Sequence, residues 1–500
     1  MPANSEAAAV AVHANAQREA HLAIVNGAKL AGSLIVTWGF SVGIRAILPR
    51  YLGPEAFGLY SFAEALAMSF FVFATLGVES YVQKEVPVRH EHASEFFGGV
   101  LALRTLLSAF LLTTMMIVLH VTGRSPEVQL AALVFGVGQY FFVNNASFVS
   151  MLNARGRVDG MSVVNVISKV SWGVGICAAI FLKLGLWALA SAFVFSEILR
   201  SVALFRLCRT HVELRLAVDV GHLKAALRRC APFFVTTLAL TLYSRFAVML
   251  LGYLASPLEL GWYSAASMVS NLGLLLIPLI SGVCLPMFSR ARSRSEEELT
   301  LLIRRSLEAV LLIAIPVSVG LFVGADVWIK ILGGRGFEPA ALSLRAIAPI
   351  FALTYLAMLS SSFLNLVNRA WTVTRASLFG IFVNAGLNVV LIRYLGPKLG
   401  PGGAGAGAAT AAVLTEVFVC ILLLSVIGRR AFDARLFRTL TRTALVVGAV
   451  LACNRLMLPL GPARLVIDAA LYVGLALALR VIRVDEVKQL AVQLRQRRAN

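Results

Sequence analysis

The fold class of this chain is decided by residues 22–86, which read LAIVNGAKLAGSLIVTWGFSVGIRAILPRYLGPEAFGLYSFAEALAMSFFVFATLGVESYVQKEV. Two apolar limbs flank the segment RYLGPEAFGLYS. Each limb has about twenty residues or more, enough for a helix rising 1.5 Å per residue to cross a hydrocarbon layer of about 30 Å. The limbs nevertheless carry Lys29, Arg45, Glu64 and Glu79. A charge at the centre of a span costs about 2.5–3.5 kcal/mol to insert, so retained charges usually face water, a polar substrate or each other. The hairpin is therefore a candidate path for a polar substrate.

The composition of the whole chain agrees with a membrane protein. Of its 500 residues, 59% are hydrophobic and 14% are charged, whereas soluble domains have about 45–50% apolar and about 25% charged residues. The net charge of +20 is spread over short segments between apolar runs. This distribution is typical of the basic loops on the cytoplasmic side of a protein with many spans, and it disfavours nucleic-acid binding.

The apolar runs predict an all-α integral membrane protein with about fourteen transmembrane helices. Most of the 45 Lys and Arg residues fall on the side of the two chain ends, which predicts that both ends are cytoplasmic. We expect a cytoplasmic N-terminal segment, a first lobe with spans one to six, a cytoplasmic linker, a second lobe with spans seven to twelve, two additional spans and a basic cytoplasmic tail. The corresponding ranges are 1–21, 22–206, 207–229, 230–428, 429–483 and 484–500.

An internal repeat supports the two lobes. The segment RYLGPEAFGLYS from Arg50 is echoed by YLASPLELGWYS from Tyr253, and SAFVFSE, which ends at Glu197, is echoed by TAAVLTE, which ends at Glu416. Both offsets are about 200 residues. Since six spans return the chain to the same side, we expect two pseudo-symmetric six-helix lobes of the same topology.

Motifs of enzymes and motors are absent from the sequence. It contains no G-x-x-x-x-G-K-[ST] phosphate loop, no H-E-x-x-H and no G-x-S-x-G, and its six cysteines form no C-x-x-C pair. We therefore expect a transporter without an ATPase motif, without a catalytic residue, and without a cofactor or metal. The glycine-rich stretch 402–407 opens an apolar span, which favours close helix packing over nucleotide binding.

Basic side chains inside the predicted spans indicate an anionic substrate. Arg200 and Arg455 lie near span ends, where a long side chain reaches the interface. A cationic cavity that binds substrate is predicted from five others: Lys169, Arg245, Lys29, Arg45 and Arg104. Lys169 and Arg245 lie near the middle of spans five and seven, whereas Lys29 and Arg45 have interfacial snorkelling as an alternative.

Acidic and amide side chains complete the candidate site. Two roles stay open for the acids, namely charge partners of the buried cations or protonatable groups in ion coupling; these are Glu197, Glu416, Glu64 and Glu79. The polar cavity candidates are Asn271, Asn384 and Asn388. The last two share a helix face, as groups that bind a polar ligand or a neighbouring helix would.

Three motifs together resemble the Wzx-type polysaccharide and O-antigen flippases, the polysaccharide transporter branch of the MOP exporter superfamily. They are RYLGPEAFGLYS, the run LYSRFAVMLLGYLASPLELGWYSAA from Leu242, and LPMFSRARSRSEEEL from Leu285. The resemblance implies two lobes in a V shape around a cationic cavity. It also implies transfer of an undecaprenyl-diphosphate-linked oligosaccharide to the periplasmic leaflet of the bacterial inner membrane. Family members often have an Asp where this chain has Ala247, so ion coupling at that position is not expected here.

The resemblance and the residues lead to one leading function and three alternatives. The leading function is export of lipid-linked repeat units for O-antigen, capsule or exopolysaccharide by alternating access. Functional partners would be a polysaccharide polymerase and a chain-length regulator, and the transporter itself is expected to act as a monomer. The alternatives are a lipid II flippase, a cation-coupled multidrug exporter and a membrane polysaccharide polymerase or ligase. The central Lys169 and Arg245 disfavour the drug exporter, and the short outside loops disfavour the polymerase or ligase.

Overall fold

A computed structural model describes residues 3–85, 92–154, 159–211, 220–274, 277–428 and 432–481, with side chains described from Thr37 onward apart from further short gaps. Within these ranges every regular element is a helix, because hydrocarbon leaves backbone groups no partner except those of the same helix. The helices are α1 Ala3–Phe71, α2 Val78–Glu85, α3 His92–Val121, α4 Pro126–Ala154, α5 Asp159–Phe181, α6 Leu186–His211, α7 Val220–Leu254, α8 Pro257–Gly273, α9 Ile277–Arg294, α10 Glu296–Val323, α11 Ala325–Leu332, α12 Ala340–Ile347, α13 Ile350–Leu366, α14 Ala370–Leu399, α15 Gly403–Ile427, α16 Ala434–Leu456 and α17 Arg464–Ala478, with 3-10 helices at Val72–Thr75 and Leu458–Ala463.

The predicted fold class is confirmed. In the described residues, 12 segments are long and apolar enough to span a membrane. The difference from fourteen has two causes. The first two predicted spans are counted together as Thr37–Thr75, because helix continues on both sides of the break at Gly53. The predicted span 260–288 is divided between α8 and α9, with residues 275 and 276 outside the described ranges.

The segment predicted as a tight turn, Arg50 to Ser61, is instead helical on both sides of a single residue. Gly53 has φ of 72° and ψ of 172° and is the one non-helical position inside α1. A positive φ is accessible to glycine without steric cost, and proline is well suited to the first position of the helix that follows. Gly53 and Pro54 therefore break the helix without a loop.

Contacts divide the chain into two units. The first comprises Met1–Tyr51 and Phe62–Arg245, and the second comprises Leu52–Ser61 and Phe246–Asn500. In the first unit, an apolar core gathers side chains such as Tyr81, Phe148 and Leu204 from α2, α4 and α6. In the second, Phe288, Ile303 and Phe363 belong to an apolar core that includes residues of α9, α10, α13 and α15. The domain boundaries proposed from sequence stay a prediction.

Close helix packing at the glycine-rich stretch is confirmed within the second unit. Gly403–Ala409 are buried at the start of α15. A Cβ atom on Gly407 would lie 2.5 Å from the backbone oxygen of Leu391 on α14, and one on Gly405 would lie 2.5 Å from Ser343 Oγ on α12. The missing side chains let α15 approach the backbone of α14 and the Ser343 side chain of α12 closely, as small residues do in membrane helix pairs.

Candidate functional site

The first unit contains a cluster of charged side chains from three helices. Lys169 lies mid-way along α5. It interacts electrostatically with four charged side chains on two other helices, namely Glu197 and Arg200 on α6 and Arg45 and Glu64 on α1. Arg45 Nη2 is 3.5 Å from Glu64 Oε1, and Arg200 Nη1 is 3.6 Å from Glu197 Oε1. We call these five side chains the Lys169 cluster. Three cations and two carboxylates leave it with one excess positive charge.

Close packing around α5 brings these helices together. A Cβ atom on Gly173 would lie 2.4 Å from the ring of Phe40 on α1, and one on Gly175 would lie 2.8 Å from Ala192 Cβ on α6. These two residues, within two turns of Lys169, therefore have no side chain to hold the neighbouring helices away. The position of Lys169 between α1 and α6 follows from this packing.

Glu197 is held in place by hydrogen bonds. Its side chain is buried, and Asn145 Nδ2 on α4 donates both to Glu197 Oε2 at 2.8 Å and to the Glu197 backbone oxygen at 2.9 Å. Arg200 is oriented in turn, because its Nη2 donates to Asn165 Oδ1 at 3.0 Å. A buried carboxylate needs partners of this kind to offset the loss of water.

Lys169 itself is exposed, although it lies in the middle of an apolar span. Its ammonium lies 5.8 Å from the centre of the Trp172 ring, within the range of a cation–π contact. The Arg45 side chain is 52% exposed and that of Glu64 is 26% exposed. The buried Glu197 therefore supports an accessible basic surface at Lys169 and Arg45, which is chemically suited to bind an anion.

Arg104 and Glu79 are predicted site residues that the structure places elsewhere. Arg104 is fully buried and donates to Glu79 Oε1 at 2.7 Å, to Ser147 Oγ at 2.6 Å and to the backbone oxygens of Thr75 and Val143. Arg104 on α3 therefore joins α2, α4 and the Val72–Thr75 turn and has no surface for a substrate. The role of Arg104 in substrate binding stays a prediction, and its burial disfavours that role, because a carboxylate on a neighbouring helix holds its guanidinium inside the packed helices.

The other predicted residues whose side chains are described are not part of the Lys169 cluster. In the second unit, Asn384 Nδ2 donates to Thr415 Oγ1 at 3.2 Å, Asn388 Nδ2 donates to Asn384 Oδ1 at 3.0 Å, and Glu416 is buried on α15. Asn384 therefore binds a neighbouring helix, which is one of the two predicted roles, whereas the amide of Asn388 bonds to Asn384 on the same helix. Asn271 on α8 is exposed, Arg245 on α7 is half-buried, and the side chain of Lys29 lies outside the described residues.

Sequence reasoning missed Arg200, Asn145, Asn165 and Trp172 as members of the site. Arg200 follows Glu197 by three residues, which places both on one helix face, so this spacing was a usable signal. The two asparagines act from other helices; the sequence marks them as polar residues inside apolar spans but does not identify their partners. In the described part of the chain, no group of three or more His, Cys, Asp or Glu side chains has the arrangement of a metal site.

The two repeated motifs form a helix crossing inside the second unit. A Cβ atom added to Gly58 would lie 2.1 Å from the backbone oxygen of Pro257. A Cβ atom added to Gly261 would lie 1.8 Å from the backbone oxygen of Pro54. Each glycine therefore contacts the proline that begins the other helix. We call this contact the glycine crossing. In both copies of the repeat a proline is followed four residues later by a glycine. This reciprocal contact explains the shared spacing.

Side chains from α8 also fix the surroundings of the crossing. The Glu259 carboxylate accepts from the backbone N–H groups of Gly402 at 2.6 Å and Gly405 at 3.0 Å. An acidic group stabilises the positive end of a helix in this way. Trp262 Nε1 donates to the backbone oxygen of Gly336 at 2.8 Å. These bonds connect α8 to the start of α15 and to the segment after α11.

The model of a family described as polysaccharide biosynthesis protein matches residues 47–342, which include both glycine motifs and the Lys169 cluster apart from Arg45. The chain belongs to this family. The predicted membership in the polysaccharide branch of the MOP exporters is thereby confirmed. It is a multi-pass membrane protein of polysaccharide biosynthesis.

Two relatives with curated names are similar to this family member. A putative O-antigen transporter of Escherichia coli (strain K12) is 22% identical over 310 residues, which cover 61% of this chain and 74% of the relative. A probable low-salt glycan biosynthesis flippase of Haloferax volcanii is 22% identical over 369 residues, which cover 69% of this chain and 73% of the relative.

Solved structures show the same fold. The lipid II flippase MurJ in an inward closed conformation aligns with a TM-score of 0.73 and 16% identity, over 93% of this chain and 99% of MurJ. An inward-facing multidrug resistance transporter of the MATE family and MOP superfamily aligns with a TM-score of 0.62 and 16% identity, over 79% and 94% of the two chains. At these identities the likeness establishes the MOP exporter fold.

Proposed function

We propose that this protein is a flippase that moves an undecaprenyl-diphosphate-linked oligosaccharide from the cytoplasmic to the periplasmic leaflet of the inner membrane. The product would serve O-antigen, capsule or exopolysaccharide synthesis. Family membership and the names of the two relatives support the class of substrate. Both chain ends are cytoplasmic in this proposal, in accordance with the basic segments of the sequence.

The observation that carries the proposal is that Lys169 is an exposed residue in the middle of an apolar span. Such a charge is costly in hydrocarbon, and it is retained where it meets water or an anion. The excess positive charge of the Lys169 cluster is suited to the diphosphate of a lipid-linked sugar. Charge-assisted contacts of Lys and Arg with phosphate oxygens are the strong class of hydrogen bonds. We place Arg45 with Lys169 on the substrate surface and assign Glu197 as their structural partner.

Transport in this proposal follows alternating access of the Lys169 cluster to the two leaflets, with no hydrolysis of ATP. The sequence has no phosphate loop, so the driving force is an ion gradient, the membrane potential or consumption of the product. Arg245 and Asn271 stay in the proposal as further polar contacts. Polysaccharide polymerase and chain-length regulator would act on the delivered product, and the transporter would act as a monomer.

Purified protein in liposomes tests the proposal directly. The substrate is a fluorescent polyprenyl-diphosphate oligosaccharide placed in one leaflet, and its transfer is followed without ATP. Lys169→Ala should lower the initial rate about ten- to a hundredfold, because it removes one charged contact worth about 1.5–3 kcal/mol. Lys169→Arg should retain much of the rate, and Lys224→Ala, an exposed lysine on α7 outside the cluster, should retain all of it. Unchanged transport by Lys169→Ala would remove Lys169 from the substrate path.

A lipid II flippase is the second candidate function, and the alignment with MurJ favours it. Lipid II also carries a diphosphate, so the Lys169 cluster suits both substrates. Parallel liposomes that contain lipid II separate the two functions. Faster transfer of lipid II than of the oligosaccharide lipid would establish the second function in place of the first.

A further inference from the structure

A second basic site lies in the second unit, on elements that do not contribute to the Lys169 cluster. A cavity of about 390 Å³ opens between the end of α9, the start of α10, the end of α13 and the end of α15. Two guanidinium groups, Arg292 and Arg369, and one carboxylate, Glu296, line it together with apolar side chains. We call it the Arg292 cavity; its apolar lining consists of Phe363, Leu364, Val367, Val426 and Ile427.

The charges of the cavity favour an anion. Arg292 and Arg369 are both exposed, and among the described residues neither side chain has an ion-pair partner within 4.0 Å. By contrast, Arg294 on the same helix is paired with Glu298 at 2.9 Å. The three charged side chains that line the cavity, Arg292, Arg369 and Glu296, together carry one excess positive charge. Two arginines that converge on one cavity provide the fork geometry that binds phosphate oxygens.

The apolar lining distinguishes this cavity from a site for a small soluble anion. Phe363, Leu364 and Ile427 are buried members of the apolar core of the second unit, so they form a packed apolar wall beside the arginines. A phosphate ion would leave this wall in contact with water. A ligand that joins a phosphate to a hydrocarbon chain would cover it, and would gain about 25 cal/mol for each Å² of apolar surface buried.

The depth of the cavity in the membrane is indicated by a neighbouring tryptophan. Trp371 lies two residues after Arg369, at the start of the span Ala370–Leu399, and is 71% exposed. Exposed tryptophans at the ends of spans mark the level of the lipid headgroups. Arg369 is therefore at the level where the phosphate of a membrane lipid lies.

We infer that the Arg292 cavity binds the phosphate-bearing headgroup of an anionic lipid, with the first carbons of its chain on the apolar wall. Arg292 and Arg369 hold the phosphate, and Glu296 limits the affinity by adding a negative charge. Two kinds of membrane lipid combine a phosphate with a hydrocarbon chain in this way, namely a bulk anionic phospholipid and a polyprenyl phosphate carrier. The inference is independent of the proposed transport function, since it uses none of the residues of the Lys169 cluster.

Native mass spectrometry of the full-length protein in detergent tests this inference. The added probes are phosphatidylglycerol, a polyprenyl monophosphate, zwitterionic phosphatidylcholine and inorganic pyrophosphate. We expect binding of at least one of the first two probes to exceed binding of the last two. Preference for phosphatidylglycerol would identify a phospholipid site, and preference for the polyprenyl phosphate would identify a carrier-lipid site. Equal binding of pyrophosphate and lipids would overturn the inference.

Variants connect the binding to the cavity. Arg292→Gln and Arg369→Gln should each lower the affinity about three- to tenfold, since each removes a charged contact with phosphate. Arg290→Gln is the matched control, because Arg290 is exposed on the same helix but does not line the cavity. Glu296→Gln should raise the affinity about two- to fivefold by removing the negative charge. An unchanged affinity in the double arginine variant, or a weaker one in Glu296→Gln, would refute an anion site.

Discussion

Replacement of a glycine by alanine at the glycine crossing should destabilise the protein, whereas the same replacement elsewhere in a helix usually stabilises it. In Gly261→Ala, the new Cβ would stand 1.8 Å from the Pro54 oxygen, 2.7 Å from the Pro54 carbonyl carbon and 3.2 Å from Pro54 Cα. All three are backbone atoms, so no side chain can rotate away. Carbon atoms without a bond between them prefer separations of about 3.5–4.0 Å, and the two helices must therefore part by about 1.5 Å.

The sign of the effect distinguishes the crossing from an ordinary helical glycine. Replacement of glycine by alanine inside a helix stabilises by about 0.5–1 kcal/mol through backbone entropy. Overpacking of a close contact costs about 1–3 kcal/mol, and more when backbone must move. We therefore expect a net loss of about 1–2 kcal/mol or more for Gly261→Ala, together with a lower Tm.

Thermal unfolding in detergent, followed by tryptophan fluorescence at one fixed scan rate, measures this loss. Gly386→Ala is the matched control, because Gly386 lies within α14 and a Cβ there would meet nothing within 4 Å. Its Tm should rise or stay constant, whereas that of Gly261→Ala should fall by a few degrees. The variant Gly58→Ala should lose stability for the same reason, and the double variant should lose less than the sum of the two, since parted helices admit both methyl groups. A rise of Tm in Gly261→Ala, equal to that of the control, would refute the glycine crossing.

Two further predictions concern the internal polar contacts of each unit. Replacement of Arg104 by Met should destabilise the first unit by about 3–5 kcal/mol, because it leaves the Glu79 carboxylate without its cation. The double variant Arg104→Met with Glu79→Gln should recover part of the lost Tm. A double variant with no higher Tm than Arg104→Met would contradict the pairing. Substitution of Glu259 by Ala should cost about 1–3 kcal/mol by removing the acceptor of the Gly402 and Gly405 N–H groups. Hydrogen exchange of these two amides should accelerate in the second variant, and unchanged exchange would contradict the contact.

The fold could be read largely from sequence because its cause is local. A run of about twenty apolar residues must form a helix in hydrocarbon, whatever its neighbours are. The repeat of RYLGPEAFGLYS near Tyr253 was also visible, and so was the buried pair of acids, Glu197 and Glu416. Hydropathy could not show that Gly53 breaks one helix where a turn was expected, because a single glycine leaves the apolar pattern unchanged.

The site was predicted only in part. Lys169 and Glu197 were identified from their depth in the spans, and the structure brings them together with Arg45 and Glu64. Arg104 is likewise a basic residue inside a predicted span, yet it is fully buried beside Glu79. Depth in a span is a property of sequence position, whereas the direction of a side chain depends on the rotation of its helix.

The sequence by itself therefore determined that this protein crosses the membrane many times and that its two lobes are related by an internal repeat. It also showed that each repeated motif has a proline followed four residues later by a glycine. Tertiary structure alone decided which charges support each other, which are accessible, and that the motifs cross at Gly58 and Gly261. The physical reason is that, when a helix is apolar on all sides, its sequence does not show which face packs against a neighbouring helix. Only packing against its neighbours fixes its rotation and, with it, the direction of every polar side chain.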